Sequence, residues 1–144
     1  MGQMNTASIE SSLYKYLYEQ LELTDNIHIF ESIHYTSFDP YTKWVAIDTL
    51  SNSAGALPRA LFFLHIAIKD AGANDVQTLN RLVDKVNSVI NYGTRLDVYD
   101  DANGNLVGEA EVSETSLSPI VKHPTGGSYR SLTVGLVYAS VDPM

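Results

Sequence analysis

The sequence predicts an α+β fold: a mainly antiparallel β-sheet with an N-terminal helix and a central helix packed on it, in the order α-β-β-β-α-β-β-β. Three observations carry this. Two stretches, Ser8–Leu21 and Asn74–Ile90, repeat apolar residues at the three-and-four spacing of a helix. Between and after them lie runs that alternate, or are rich in β-branched and aromatic residues. Turn signals separate these runs at short intervals, which favours hairpins over crossovers.

The first helix places Ile9, Leu13, Tyr16, Leu17 and Leu21 on one face, with Thr6 or Ser8 as its cap. Tyr14, Tyr18 and Glu19 fall on other faces. Asn26–Tyr35 alternates, with Ile27, Ile29 and Ile33 opposite His28, Ser32 and His34. Asp39-Pro40 marks a turn, and Lys43–Leu50 is a second strand containing Trp44, Val45, Ile47 and Thr49. Arg59–Lys69 is apolar on both faces and bounded by Pro58 and Gly72, so it reads as a central strand. In the second helix Asn74 stands three residues before Gln77, the capping-box spacing. Val76, Leu79, Val83, Val86 and Ile90 form its buried stripe, and Gly93 ends it. A hairpin follows, its turn at Asp100–Asn105 containing Asn103-Gly104. Ser113–Ser128 reads as a long loop, and Tyr129–Ser140 as the last strand, with Leu132, Val134, Leu136 and Tyr138 on one face.

The length of 144 residues fits one domain spanning 1–144, with a mobile N-terminus at 1–7 and the loop at 113–128. Zero cysteines exclude disulfides, thiolate metal sites and a cysteine nucleophile. With 9 Lys+Arg against 17 Asp+Glu, the net charge of -8 argues against gripping nucleic acid through its phosphates. It leaves room for a surface that DNA merely passes. No apolar run reaches the roughly 20 residues of a membrane helix, and Met1–Glu10 lacks the make-up of a secretory signal. Met1-Gly2 with Thr6 fits a myristoylation pattern that chance produces often.

The search for catalytic motifs turns up little. Ser12 and Lys15 fit a Ser-x-x-Lys pair that lacks its companion motifs. His28, His34 and Asp48 would form a carboxylate–histidine site only if folding assembled them, and hydrogen-bonded or solvated histidines are the plainer reading. His65 reads as a core or interface histidine. Asp100–Asn105 has the composition of a calcium loop in the wrong phase, so a hairpin turn is preferred. The informative feature is charge: Leu96–Glu114 holds six acids, Asp97, Asp100, Asp101, Glu109, Glu111 and Glu114, and no base. Such a hairpin is either a solvated face or a surface that meets a basic partner or lines a cavity.

The helix Ser8–Leu21, the strand Trp44-Val45-Ala46-Ile47-Asp48, the run Leu61–Ile68 leading to Asn74-Asp75-Val76 and its helix, and the terminal strand Arg130–Val137 resemble small proteins of tailed-phage necks. The pattern covers about Ser8 to Ala139 and is most similar to tail terminator proteins, then to head–tail joining and tail completion proteins. The resemblance implies a structural virion protein and not an enzyme. It implies a hexameric ring at the head-proximal end of the tail that ends tail-tube polymerisation. Its partners would be further copies of itself, the tail tube protein and the head connector, with DNA as passing cargo and no membrane or cofactor. Its place would be the virion, and the host cytoplasm during assembly. The acidic hairpin would face the lumen or a partner. A small ligand- or protein-binding α+β domain is the reading from another class.

Overall fold

The computed structural model describes residues 6–30, 42–53, 59–69, 75–122 and 127–140. The fold is α+β. Helix α1 (Thr6–Leu17) continues through a π-helical turn (Tyr18–Glu22) into a single turn α2 (Leu23–Asp25). Strands β1 (His28–Phe30), β2 (Lys43–Ser53) and β3 (Arg59–Ile68) follow, then helix α3 (Asp75–Val89). The chain ends with β4 (Arg95–Tyr99), β5 (Leu106–Leu117), β6 (Val121–Lys122) and β7 (Ser128–Ser140).

The π turn has a geometric cause. Ile9, Leu13, Leu17 and Leu21 are all fully buried and spaced strictly by four. In a regular α-helix each such step drifts by about 40°, because successive residues turn by about 100°. One wider turn rotates Leu21 back towards the same side. Asn26 then closes the helix in the left-handed region (φ 59), where its short polar side chain is tolerated. Its N–H donates to the Glu22 carbonyl at 3.0 Å.

The sheet runs β1-β2-β3-β7-β5-β4, with β6 paired to β7. It is mixed rather than mainly antiparallel, because β1 lies parallel to β2, with Ile29 opposite Val45. A parallel neighbour needs a crossover of about a dozen residues, and twelve separate Phe30 from Lys43. Asp39-Pro40 lies in this connection, as do Ser32, Ile33 and His34 of the strand expected to reach Tyr35; all fall outside the described residues. So do Asn74, Pro58, Gly72 and His123.

β7 is the hub, pairing with β3 from Ser128 to Val137 and with β5 from Leu132 to Ser140. Both helices cover the same face. α1 packs on β4 and β2, α3 on β3 and β7, so the sheet curls to bring β2 and β4 to one helix. The core gathers the α1 stripe, Leu79, Leu82, Val83, Val86 and Ile90 of α3, and the inward residues of the strands, including Phe62, Leu64, Val134 and Leu136. On the other face Phe30, Trp44, Ala46 and Ala67 form a smaller cluster with Tyr129.

Two local expectations need correction. The buried stripe of α3 starts at Leu79, not Val76, which is 49% exposed in the first turn. The loop expected over 113–128 is shorter, because β5 runs on to Leu117 and β6 adds a two-residue pairing. Ser113–Leu117 reads as a loop only because both its faces are polar; the β7 ladder nevertheless fixes it, with one extra residue between Val112 and Glu114. The hairpin turn spans Asp100–Asn105 as expected, and of its Asn103-Gly104 pair only Gly104 has positive φ.

Candidate functional site: the acidic hairpin

Along β4 and β5, buried Leu96, Val98, Ala110 and Val112 alternate with residues that face away from the core. Asp97 stands directly opposite Glu109, and Arg95 opposite Glu111. The Asp97–Glu109 row continues to the exposed Ala139 of β7, beyond the last β3 pairing at Arg59–Val137.

The six acids divide into three settings. Asp97, Glu109 and Glu111 share the outward face. Arg95 reaches Glu111 at 2.9 Å through Nε and Glu109 at 3.7 Å through Nη1, and the Tyr99 hydroxyl donates to Asp97 at 3.4 Å. Arg95 is 67% exposed, so these pairs are solvent-screened and contribute little to stability. Three carboxylates against one guanidinium leave the face with a charge of about −2.

Asp100 and Asp101 build the turn instead. Asp100 Oδ1 accepts from the N–H groups of Ala102 (2.8 Å) and Asn103 (3.2 Å). Asp101 Oδ1 accepts from the Ser8 hydroxyl at 3.0 Å, and the Asp101 N–H donates to Ser8 Oγ at 3.2 Å. Glu114 lies apart, past the bulge, with its side chain across Gly135. A Cβ at Gly135 would stand 2.6 Å from Glu114 Cγ, so the missing side chain makes this seat.

Ser8 and Ser12, one helical turn apart, are both buried against the hairpin. The Tyr99 N–H donates to Ser12 Oγ at 2.9 Å, and Lys15 Nζ sits 4.3 Å from the centre of the Tyr99 ring. The Ser-x-x-Lys pair thus joins α1 to the edge of β4, and Ser8 serves the turn. A groove of about 240 Å³ runs beside this contact, lined by Ser12, Lys15, Tyr16, Glu19, Arg95 and Asp97 among others. Tyr16 donates its hydroxyl to the Val89 carbonyl, tying α1 to the end of α3, and burial raises its pKa above the ordinary tyrosine value.

Folding does not bring His28 and Asp48 together. His28 is opposite Trp44, four residues from Asp48 along β2, which is about 13 Å. Its Nδ1 lies 3.2 Å from Glu22 Oε1, and its ring meets Phe30 edge-on. His65 stacks on Tyr129 with ring centres 3.9 Å apart. Among the described residues no three His, Asp or Glu side chains converge as a metal-ligand set. Sequence reasoning missed Arg95, which stands one residue before the acid-only window, and the strand-capping role of Ser12.

The chain matches no known protein-family model and no curated protein sequence.

Proposed function

We propose that this chain is the subunit of a ring at the head-proximal end of a phage tail, of the tail-terminator kind. It would stop tube polymerisation and offer the head connector a docking surface while DNA passes through the lumen. A head–tail joining or tail completion role would use the same surfaces. Such a protein works by assembly and not by catalysis, and needs no cofactor. Its setting is the virion, after assembly in the host cytoplasm.

The observation that supports this most is the Asp97–Glu109 pair. Like charges directly across two strands destabilise a sheet, and here the pair is exposed, next to Glu111, on the outward face of the hairpin. A lumen wall gains from that cost, because fixed negative charge keeps phosphates from adhering. The groove between α1 and β4 favours the rival reading, a small binding domain, which predicts a discrete ligand and a small fixed oligomer.

Native mass spectrometry over a range of protein concentrations separates the two. A hexamer, and tubes that stop growing when the protein is added, are the expected results. A monomer or dimer that leaves tube length unchanged overturns the ring. Replacing Glu109 and Glu111 with lysine should leave the melting temperature within a few degrees, since exposed charges contribute about 0.5 kcal/mol each. DNA delivery, scored as infectivity, should fall. Unchanged infectivity removes the hairpin from the lumen.

A further inference from the structure

Each outer strand of the sheet has one outward N–H met from within the chain. On β4 the Tyr99 N–H is taken by Ser12 Oγ, and on β1 the Ile29 N–H donates to Glu22 Oε1 at 3.0 Å. A third edge is left. β5 pairs with β4 only from Leu106 to Glu111, whereas it follows β7 as far as Leu117. Beyond Val112, which exchanges backbone bonds with Thr94 and Gly93, the second side of β5 has no strand among the described residues.

The direction of its backbone groups follows from the neighbouring bonds. The Ser118 N–H donates to the Ser131 carbonyl at 2.8 Å, so residue 118 turns towards β7. Backbone groups alternate along an antiparallel strand. Ser116 and Glu114 therefore also turn towards β7, and Thr115 and Leu117 aim N–H and C=O outward. Thr115, Ser116 and Leu117 are all exposed, Leu117 at 38%. The open stretch is short: the bulge residue Ser113 closes one end and Pro119, with no N–H to give, the other.

We infer that this edge pairs with the same edge of a second copy of the chain, antiparallel, about a two-fold axis at Ser116. The register selects the occupant. Centred on Ser116, Thr115 faces Leu117 of the other copy and each pair exchanges two backbone bonds, four in all. Glu114 then faces Ser118, so no like charges oppose. Centring on Thr115 yields only two bonds, because Ser113 is the bulge. Centring on Leu117 sets Thr115 against Pro119, which has no N–H to give and whose carbonyl already accepts from Ser118 Oγ at 2.9 Å. A two-fold contact cannot close a head-to-tail ring. It goes beyond the ring reading, and would join free chains in pairs or two rings face to face.

The absence of cysteine in the chain makes the test direct. In full-length Ser116→Cys the two thiols would sit on a directly opposed pair with Cα atoms about 4.5 Å apart, within disulfide reach. In Glu114→Cys they would be displaced by four residues, about 14 Å. Under mild oxidation Ser116→Cys should give mostly disulfide-linked dimer on a non-reducing gel, and Glu114→Cys mostly monomer. Adding Thr115→Pro, which removes an outward N–H while leaving the β7 ladder its bonds, should cut the Ser116→Cys dimer several-fold. Equal cross-linking of the two cysteine variants, or no effect of the proline, overturns the inference. Failure of the ring is read separately, as native mass spectra with neither a hexamer nor a dodecamer together with unchanged tube length.

Discussion

Replacing Phe62 with alanine should destabilise the protein by about 3–5 kcal/mol, the range for removing a buried aromatic from a packed core. Phe62 is fully buried in β3, opposite Val134 of the hub strand β7, in the cluster that both helices share. The surrounding sheet is held by ladders on both sides of β3, so it has little freedom to collapse into the void. A domain of this length has a total stability of about 7–20 kcal/mol, so the variant loses a large fraction. In urea the midpoint should fall with the slope unchanged. A loss below about 1 kcal/mol would show that this site is not tightly packed.

The second large effect is expected at Gly127. Its φ is +90°, and a Cβ there would lie 2.2 Å from the Ile68 carbonyl oxygen and 3.2 Å from Lys69 Cα. Those are backbone atoms of the strand that β7 pairs with at Ser128, so the clash is relieved only by opening the β3–β7 ladder. Gly127→Ala should cost about 2–4 kcal/mol, combining left-handed strain with overpacking. Gly93 gives the control, with φ +88° and no atom within 4 Å of the point a Cβ would occupy. Gly93→Ala should cost about 1–2 kcal/mol, from the backbone alone. Equal melting temperatures for the two variants would remove the steric part of the argument.

The parts of the fold that were legible in the sequence are those set by local periodicity. The α3 stripe from Leu79 on, the apolar run of β3 as a central strand and the inward set Leu132, Val134, Leu136 and Tyr138 all follow from which side chains must leave water. The parallel pairing of β1 was not legible, since no residue in Ile27–Phe30 says which neighbour it joins or in which direction. Ser113–Leu117 misled because an edge segment with polar residues on both faces has the composition of a loop. The acids were visible as a group, but their division was not. That Asp100 and Asp101 hold the turn while Asp97, Glu109 and Glu111 face outward depends on register and on Ser8, 93 residues from Asp101.

The strap formed by α1 has a consequence for synthesis on the ribosome. Ser12 meets Tyr99, a partner 87 residues further along the chain. At elongation rates of about 5–20 residues per second, roughly 4–17 s pass between the two being made. Throughout that interval the apolar stripe Ile9–Leu21 has no completed sheet to lie on. A helix made before every strand of the sheet is thus among the last elements to be fixed, and until then the nascent chain offers a greasy surface to whatever holdase or neighbour is near.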